Sequence, residues 1–207
     1  MPFPLPILPT AFRLVTEDIT RRILYRVYSE KRDPLKASFV RGNRYDCPST
    51  VLPAHQFGIL YLGFELETCW METVVRSNMV RPAGTDILIP KSEMTNRWAC
   101  SVLAAQPVTL AKFADEPLID LGDSASNIMG DSYIRTWEWS RLLHAHANPA
   151  VDGIYYRSRF KSDQFCVALF ERAIISKQLI VLNPRSVDPA SSPEIQTIMR
   201  RYSIKPS

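Results

Sequence analysis

The stretch GILYLGFELETCWMETVVR, residues 58–76, limits the folds open to this chain more than any other. Ile59 to Leu62, bounded by Gly58 and Gly63, reads as a short apolar strand. It passes without a long connection into a helical pattern. Leu66, Trp70 and Val74 recur every fourth residue and form one apolar stripe. Glu65, Thr68, Glu72 and Arg76 fall on another face. A strand that ends near Tyr61 and feeds such a helix can set an aromatic ring and the Glu72 carboxylate beside one cleft. The plainer reading of Glu72 is a surface ion pair with Arg76, which stabilises a helix by only about 0.2–0.5 kcal/mol.

The rest of the chain supplies short strands around that unit. Ile23 to Tyr28, Ile87 to Ile89, Val108 to Leu110, Leu118 to Leu121, Phe165 to Phe170 and Leu179 to Leu182 read as strands. Gly153 to Phe160 reads as a strand or strand end. Thr16 reads as the N-cap of a short helix, and Trp98 to Leu103 as a helical turn. Gly130-Asp131-Ser132 opens a helix that Pro149 ends, with Ile134, Trp137, Arg141 and His144 near one face. A terminal helix is expected around Glu194 to Arg201. Many short strands and few helices give an α+β single domain rather than a βαβ parallel sheet.

Seven Gly against sixteen Pro favour stiff extended connections, and prolines at 2, 4, 6 and 9 make the N-terminus an extended lead-in. That segment lacks the basic start of a signal peptide, and no apolar run approaches the roughly 20 residues a membrane helix needs. The net charge of +4 is compatible with an anionic ligand, but no dense Lys/Arg block points to nucleic acid. Cys47, Cys69, Cys100 and Cys166 are scattered, with no metal-ligand spacing, so reduced buried thiols and a cytoplasmic location are expected. His144 and His146 lie two apart, which does not share a helix face, so no metal is expected there. Trp137 and Trp139 read as core and helix-edge aromatics.

Five residues could act together: Arg26, Arg44, Tyr61, Glu72 and Ser158. Arg26 lies inside an apolar strand, where a charge either snorkels out or meets an anion. A guanidinium fork suits phosphate, an aromatic ring can stack on a base, and a carboxylate can stabilise an oxocarbenium-like sugar cation. Taken singly, Arg44 and Ser158 also read as ordinary loop and strand polar residues.

The ordered series LYRV (24–27), GNRY (42–45), ILYLGFELETCWMET (59–73), PLIDL (117–121), GDSYIRT (130–136), DGIYYRSR (152–159) and VALFERA (167–173) resembles the RES domain family, named for its Arg, Glu and Ser. The resemblance implies a fold similar to diphtheria-toxin-like ADP-ribosyltransferases. It implies the toxin half of a toxin–antitoxin pair, with an Xre-type antitoxin as partner and a homodimer also compatible. The implied activity is NAD+ consumption by hydrolysis or phosphorolysis, or protein ADP-ribosylation in some members, with NAD+ as substrate and no prosthetic group. A catalytically silent binding domain on the same fold is the competing reading. Position by position, Arg26 and Arg44 correspond to nucleotide-binding arginines, Arg26 serving catalysis as well. Tyr61 corresponds to the aromatic facing nicotinamide, Glu72 to the catalytic carboxylate and Ser158 to the active-site serine. Tyr28 and Tyr45 are expected to line the pocket. Residues 1–20 are then a lead-in, 21–183 the catalytic domain with 78–114 as an insertion or lid, and 184–207 a C-terminal tail.

Overall fold

The computed structural model describes residues 6–7, 14–76, 82–130, 132–147 and 150–207. Most of the lead-in, together with Asp131 and Pro149, therefore lies outside the described residues. Ten strands are described: β1 (Thr16–Asp18), β2 (Leu24–Ser29), β3 (Ile59–Gly63), β4 (Ile87–Ile89), β5 (Arg97–Ala104), β6 (Thr109–Phe113), β7 (Gly153–Arg157), β8 (Phe165–Phe170), β9 (Leu179–Ser186) and β10 (Ile204–Pro206). Seven α-helices accompany them: α1 (Leu66–Trp70), α2 (Lys91–Met94), α3 (Glu116–Asp120), α4 (Ala125–Met129), α5 (Ile134–His146), α6 (Glu171–Ser176) and α7 (Pro193–Arg201). The domain is α+β, although its helices are more numerous and shorter than the sequence patterns predict.

Eight strands form one sheet in the order β1-β6-β7-β8-β3-β2-β5-β9, and β10 pairs with β4 in a second, two-stranded sheet. Neighbours in the large sheet are antiparallel except for β6 and β7. Alternation along β8 shows how both faces are filled. Cys166, Ala168 and Phe170 join one apolar cluster, with Trp139 and Leu143 of α5, while Val167 and Leu169 join the opposite one, with Leu24 and Leu60. A third cluster packs Leu66, Trp70 and Val74 of the predicted stripe against Ile195 and Ile198 of α7 and Ile87 and Ile89 of β4.

The central break in the sheet positions the site. β2 and β3 share a single pair, Tyr25 with Gly63, whereas β3 pairs with β8 at five positions. The two strands diverge, and a cleft opens between them. At the end of β3 the chain turns tightly into α1. A Cβ on Gly63 would lie 2.8 Å from Cys69 Sγ, so a side chain there would have to displace the buried Cys69 thiol.

Several local expectations give way to tertiary pairing. Thr16 does not cap a helix: it begins β1, an edge strand held by β6. Residues 98–103 lie in β5 rather than a helical turn. Cys100 and Val102 face one cluster and Ala99 the other, and burial on both sides hides the period of two. Residues 118–121 belong to α3 and its cap, where Pro117 occupies the first turn, a position in which its missing N–H costs nothing. In α5 the buried side is Thr136, Trp139, Ser140, Leu142 and Leu143, whereas Ile134 is exposed.

The stretch 78–114 supplies β5 and β6, both internal to the large sheet, and β4 and α2 beside it. Residues 184–207 complete β9, then form α7 and β10 against the α1 layer. Ser192 caps α7 by accepting from Ile195 N–H at 3.4 Å, with Pro193 in its first turn. The four cysteines are buried and unpaired.

Candidate active site

The cleft between β2 and β3 has a volume of about 580 Å³, within the usual range for small-molecule sites. Its described lining includes six arginines, Arg26, Arg32, Arg44, Arg76, Arg97 and Arg159, and one carboxylate, Glu72. A larger cavity of about 730 Å³ lies between α2, α7 and β10. Its carboxylates, Asp86 and Asp188, are partnered by Lys205 and by the Ala190 N–H, and no tyrosine among the described residues lines it. The smaller cleft, where the singled-out residues meet, is the candidate site.

Glu72 is carried on a π-helical turn, Met71–Val75, that continues α1. Such turns widen the helix locally and recur at functional sites. The expected partnership with Arg76 is not formed: Arg76 donates to Asn43 Oδ1 at 2.6 Å. Glu72 Oε1 instead accepts from Ser158 Oγ at 2.6 Å and from Arg159 N–H at 3.0 Å. Among the described residues no donor reaches Oε2. Ser158 is fully buried just beyond β7. Its hydroxyl also accepts from Phe160 N–H at 3.3 Å and Lys161 N–H at 3.2 Å, so three neighbours fix its rotor with the proton toward Glu72.

Tyr61, on β3, lines the cleft with its ring while its hydroxyl is fully engaged. It donates to Asp46 Oδ1 at 2.8 Å and accepts from Tyr45 N–H at 2.9 Å. Burial, then the Asp46 charge, hold the phenol far above its ordinary pKa, so it stays protonated. Asp46 also accepts from Asn43 N–H at 2.7 Å and braces the 42–46 turn. Burial raises its pKa, against the pull of those hydrogen bonds. Two side chains of α5 hold the same turn: Trp137 Nε1 donates to Asn43 O at 2.8 Å and Ser140 Oγ to Tyr45 O at 2.7 Å.

That scaffold presents Arg44. The residue is 7% exposed, its Nη1 donates to Arg157 O at 3.4 Å, and its Nε has no partner. Its guanidinium carbon lies 5.7 Å from the centre of the Tyr156 ring. Among the described residues no carboxylate pairs with it, and a buried guanidinium with an unfilled donor has the chemistry to take an anion. Arg26 reaches the cleft through the split in the sheet. Its guanidinium donates to Pro34 O and, at 3.0 Å, to Lys36 O. Burial lowers its pKa to about 10, which leaves it charged at neutral pH. The loop after β2 thus wraps part of the guanidinium with carbonyls, while Arg26 still lines the cleft.

Five of the seven singled-out residues thus meet at one place: Arg26, Arg44, Tyr61 and Glu72 line the cleft, and Ser158 backs Glu72. Tyr45 and Tyr28 do not line it. Tyr45 is buried against Phe113 and Tyr156, and Tyr28 packs with Leu24 and Leu60 in the cluster on the sheet's other face. Sequence patterns also missed Asp46, Tyr156 and the arginines at 32, 76, 97 and 159. Only Asp46 carried a local signal, an Asn and an Asp three apart in a turn. Trp139 is fully buried and donates from Nε1 to Asp123 Oδ2 at 2.6 Å.

The sequence model of the RES domain family matches residues 22–187. The chain belongs to the RES domain family. In fold it is similar to a chain in the crystal structure of the M. tuberculosis MbcT–MbcA toxin–antitoxin complex, with a TM-score of 0.61 and 14% identity over 88% of this chain and 89% of that one. No curated protein matches this chain. Among the described residues of this RES domain, no group of His, Cys, Asp and Glu is placed to hold a metal ion. No helix among them is long and apolar enough to cross a membrane.

Proposed function

We propose that this RES domain is a toxin-type enzyme that binds NAD+ in the arginine-lined cleft and breaks its nicotinamide–ribose bond. The observation that carries the reading is Glu72, the one carboxylate among the described residues that line the cleft, held at Oε1 by Ser158 and Arg159 N–H, while no donor among the described residues reaches Oε2. Arg44 and Arg26 take the pyrophosphate, and the Tyr61 ring flanks the nicotinamide. The C1′–N bond breaks with its electron pair going to nicotinamide, which leaves neutral. Positive charge develops on the ribose, and Glu72 faces it at the point of greatest need. Ser158 and the Arg159 amide keep the carboxylate oriented, so little reorganisation is needed during the reaction. Water then attacks C1′ and loses a proton to give ADP-ribose, or inorganic phosphate attacks to give the 1″-phosphate of ADP-ribose.

The likeness in fold to a chain of a toxin–antitoxin complex supports an antitoxin protein as the partner. The deciding experiment follows NAD+ and its products by NMR with purified protein, with and without phosphate. Rapid nicotinamide release that disappears in Glu72→Gln supports the reading, and phosphate dependence names the acceptor. Labelled ADP-ribose appearing on protein faster than in solution would make the chain a protein ADP-ribosyltransferase. Folded protein that neither consumes NAD+ nor labels protein would make it a binding domain.

A further inference from the structure

Glu67 sits on α1 five positions before Glu72, yet it takes no part in the cleft. Its carboxylate gathers three donors from two distant segments. Oε1 accepts from Lys161 Nζ and from Tyr202 OH at 2.6 Å, and Oε2 accepts from Arg201 Nη1 at 2.5 Å. The Glu67 and Lys161 side chains are each 13% exposed, so this is not one of the solvated surface pairs that contribute little. Burial alone would raise the Glu67 pKa, but the Lys161 and Tyr202 hydrogen bonds hold it below the usual carboxylate value.

Lys161 belongs to the turn that carries Ser158. That turn is closed at its ends by Ser158 N–H donating to Gln164 O at 2.9 Å and Gln164 N–H donating to Lys161 O at 2.8 Å. The Lys161 amide donates to Ser158 Oγ at 3.2 Å, and the Arg159 amide to Glu72 Oε1 at 3.0 Å. The Lys161 side chain therefore ties the turn to the same helix that bears Glu72, so that Ser158 and Glu72 move together. Arg201 and Tyr202 lie at the end of α7, past residue 187, where the family match stops.

We propose that Glu67, Lys161 and Tyr202 are positioning residues, and that the C-terminal segment of this chain locks the Ser158 turn against Glu72 for the reaction. The functional half of this inference rests on the NAD+-cleavage reading. The lock explains why a polar C-terminal segment is folded back on α1: α7 buries Ile195 and Ile198 there and delivers Arg201 and Tyr202 to Glu67.

The test compares Lys161→Met, Lys161→Arg and Tyr202→Phe with the parent protein, by NAD+ kinetics and by amide hydrogen exchange at 159–161. Lys161→Met should lower kcat by about tenfold, the loss of one oriented charge-assisted hydrogen bond, while KM for NAD+ stays within about twofold. Its amides at 159–161 should exchange about tenfold faster. Lys161→Arg should recover most of kcat, and Tyr202→Phe should shift both readouts the same way by about threefold. If Lys161→Met does not fold, Tyr202→Phe decides alone. Unchanged exchange, or faster exchange with unchanged kcat, overturns the inference. Should the parent protein leave NAD+ intact, the reaction reading fails by itself. Faster exchange in Lys161→Met would then still support the lock, and unchanged exchange would still overturn it.

Discussion

Ser158 Oγ donates to Glu72 Oε1 at 2.6 Å, joining a strand end to a π-helical turn 86 positions away in the chain. The bond places a fixed dipole behind a carboxylate that shares its cleft with six arginines. Such preorganisation stabilises developing positive charge without a solvent shell that must rearrange.

Glu72→Gln keeps the acceptor for Ser158 and the Arg159 amide but removes the charge. We expect NAD+ turnover to fall by about 10²–10³-fold, comparable to loss of an electrostatic stabiliser elsewhere. Nicotinamide release, measured beside a circular dichroism spectrum and melting curve that stay unchanged, checks this.

Ser158→Ala removes the donor to Glu72 and the acceptor for the amides of Phe160 and Lys161. A buried amide left unpaired costs about 1–3 kcal/mol. Stability should drop by that order, read from denaturant midpoints, and kcat should fall more than KM changes.

Arg44→Lys replaces a planar fork by a point charge in a buried site. The KM for NAD+ should rise by about tenfold, one to two kcal/mol of lost bidentate pairing, with kcat within about threefold. Steady-state kinetics across a salt series resolve the two.

Tyr61→Phe keeps the ring and deletes the hydroxyl that joins Asp46 to the Tyr45 amide. Both partners lose a hydrogen bond in a buried turn, so the protein should be destabilised by about 1–3 kcal/mol in urea titrations. An unchanged midpoint would mean that the hydroxyl does not brace the Arg44 turn.

His144 makes stability depend on acid. It stacks on Phe57 with ring centres 4.2 Å apart, and burial, followed by the Arg172 charge, lowers its pKa from 6.5 to about 4. Glu171 Oε1, 3.9 Å from Nε2, is too distant to reverse this. The unfolded chain takes up a proton below about pH 6.5 that the folded one refuses. This contribution is therefore complete above that pH and is lost on acidification toward pH 4, by about 1–2 kcal/mol at pH 5. His144→Phe should remove that part of the decline, measured as the difference between the two proteins' stabilities at pH 7 and pH 5.

The strand–helix unit at 59–76 was legible because both of its periods are local. Leu66, Trp70 and Val74 are buried together as their spacing predicts, and β8 falls on Phe165 to Phe170 as its pattern predicts. The residue types at 26, 44, 61, 72 and 158 were legible as a set through the order of the motifs that carry them. Periodicity failed where burial was two-sided, as in β5, or where a proline starts a helix instead of breaking one, as in α3.

By itself, then, the sequence determined the α+β class, the helix that bears Glu72 and the chemical parts of the site, since these depend on neighbours within a few turns or strands. The tertiary structure alone decided that β2 and β3 part to open a cleft, that Tyr45 and Tyr28 are core residues, and that Arg76 turns to Asn43. It alone joined Ser158 to Glu72 and brought Lys161 and Tyr202 to Glu67, contacts that span 86, 94 and 135 positions. Contacts at that range are set by how the sheet splits and how α7 packs on α1, and no local spacing in the chain encodes them.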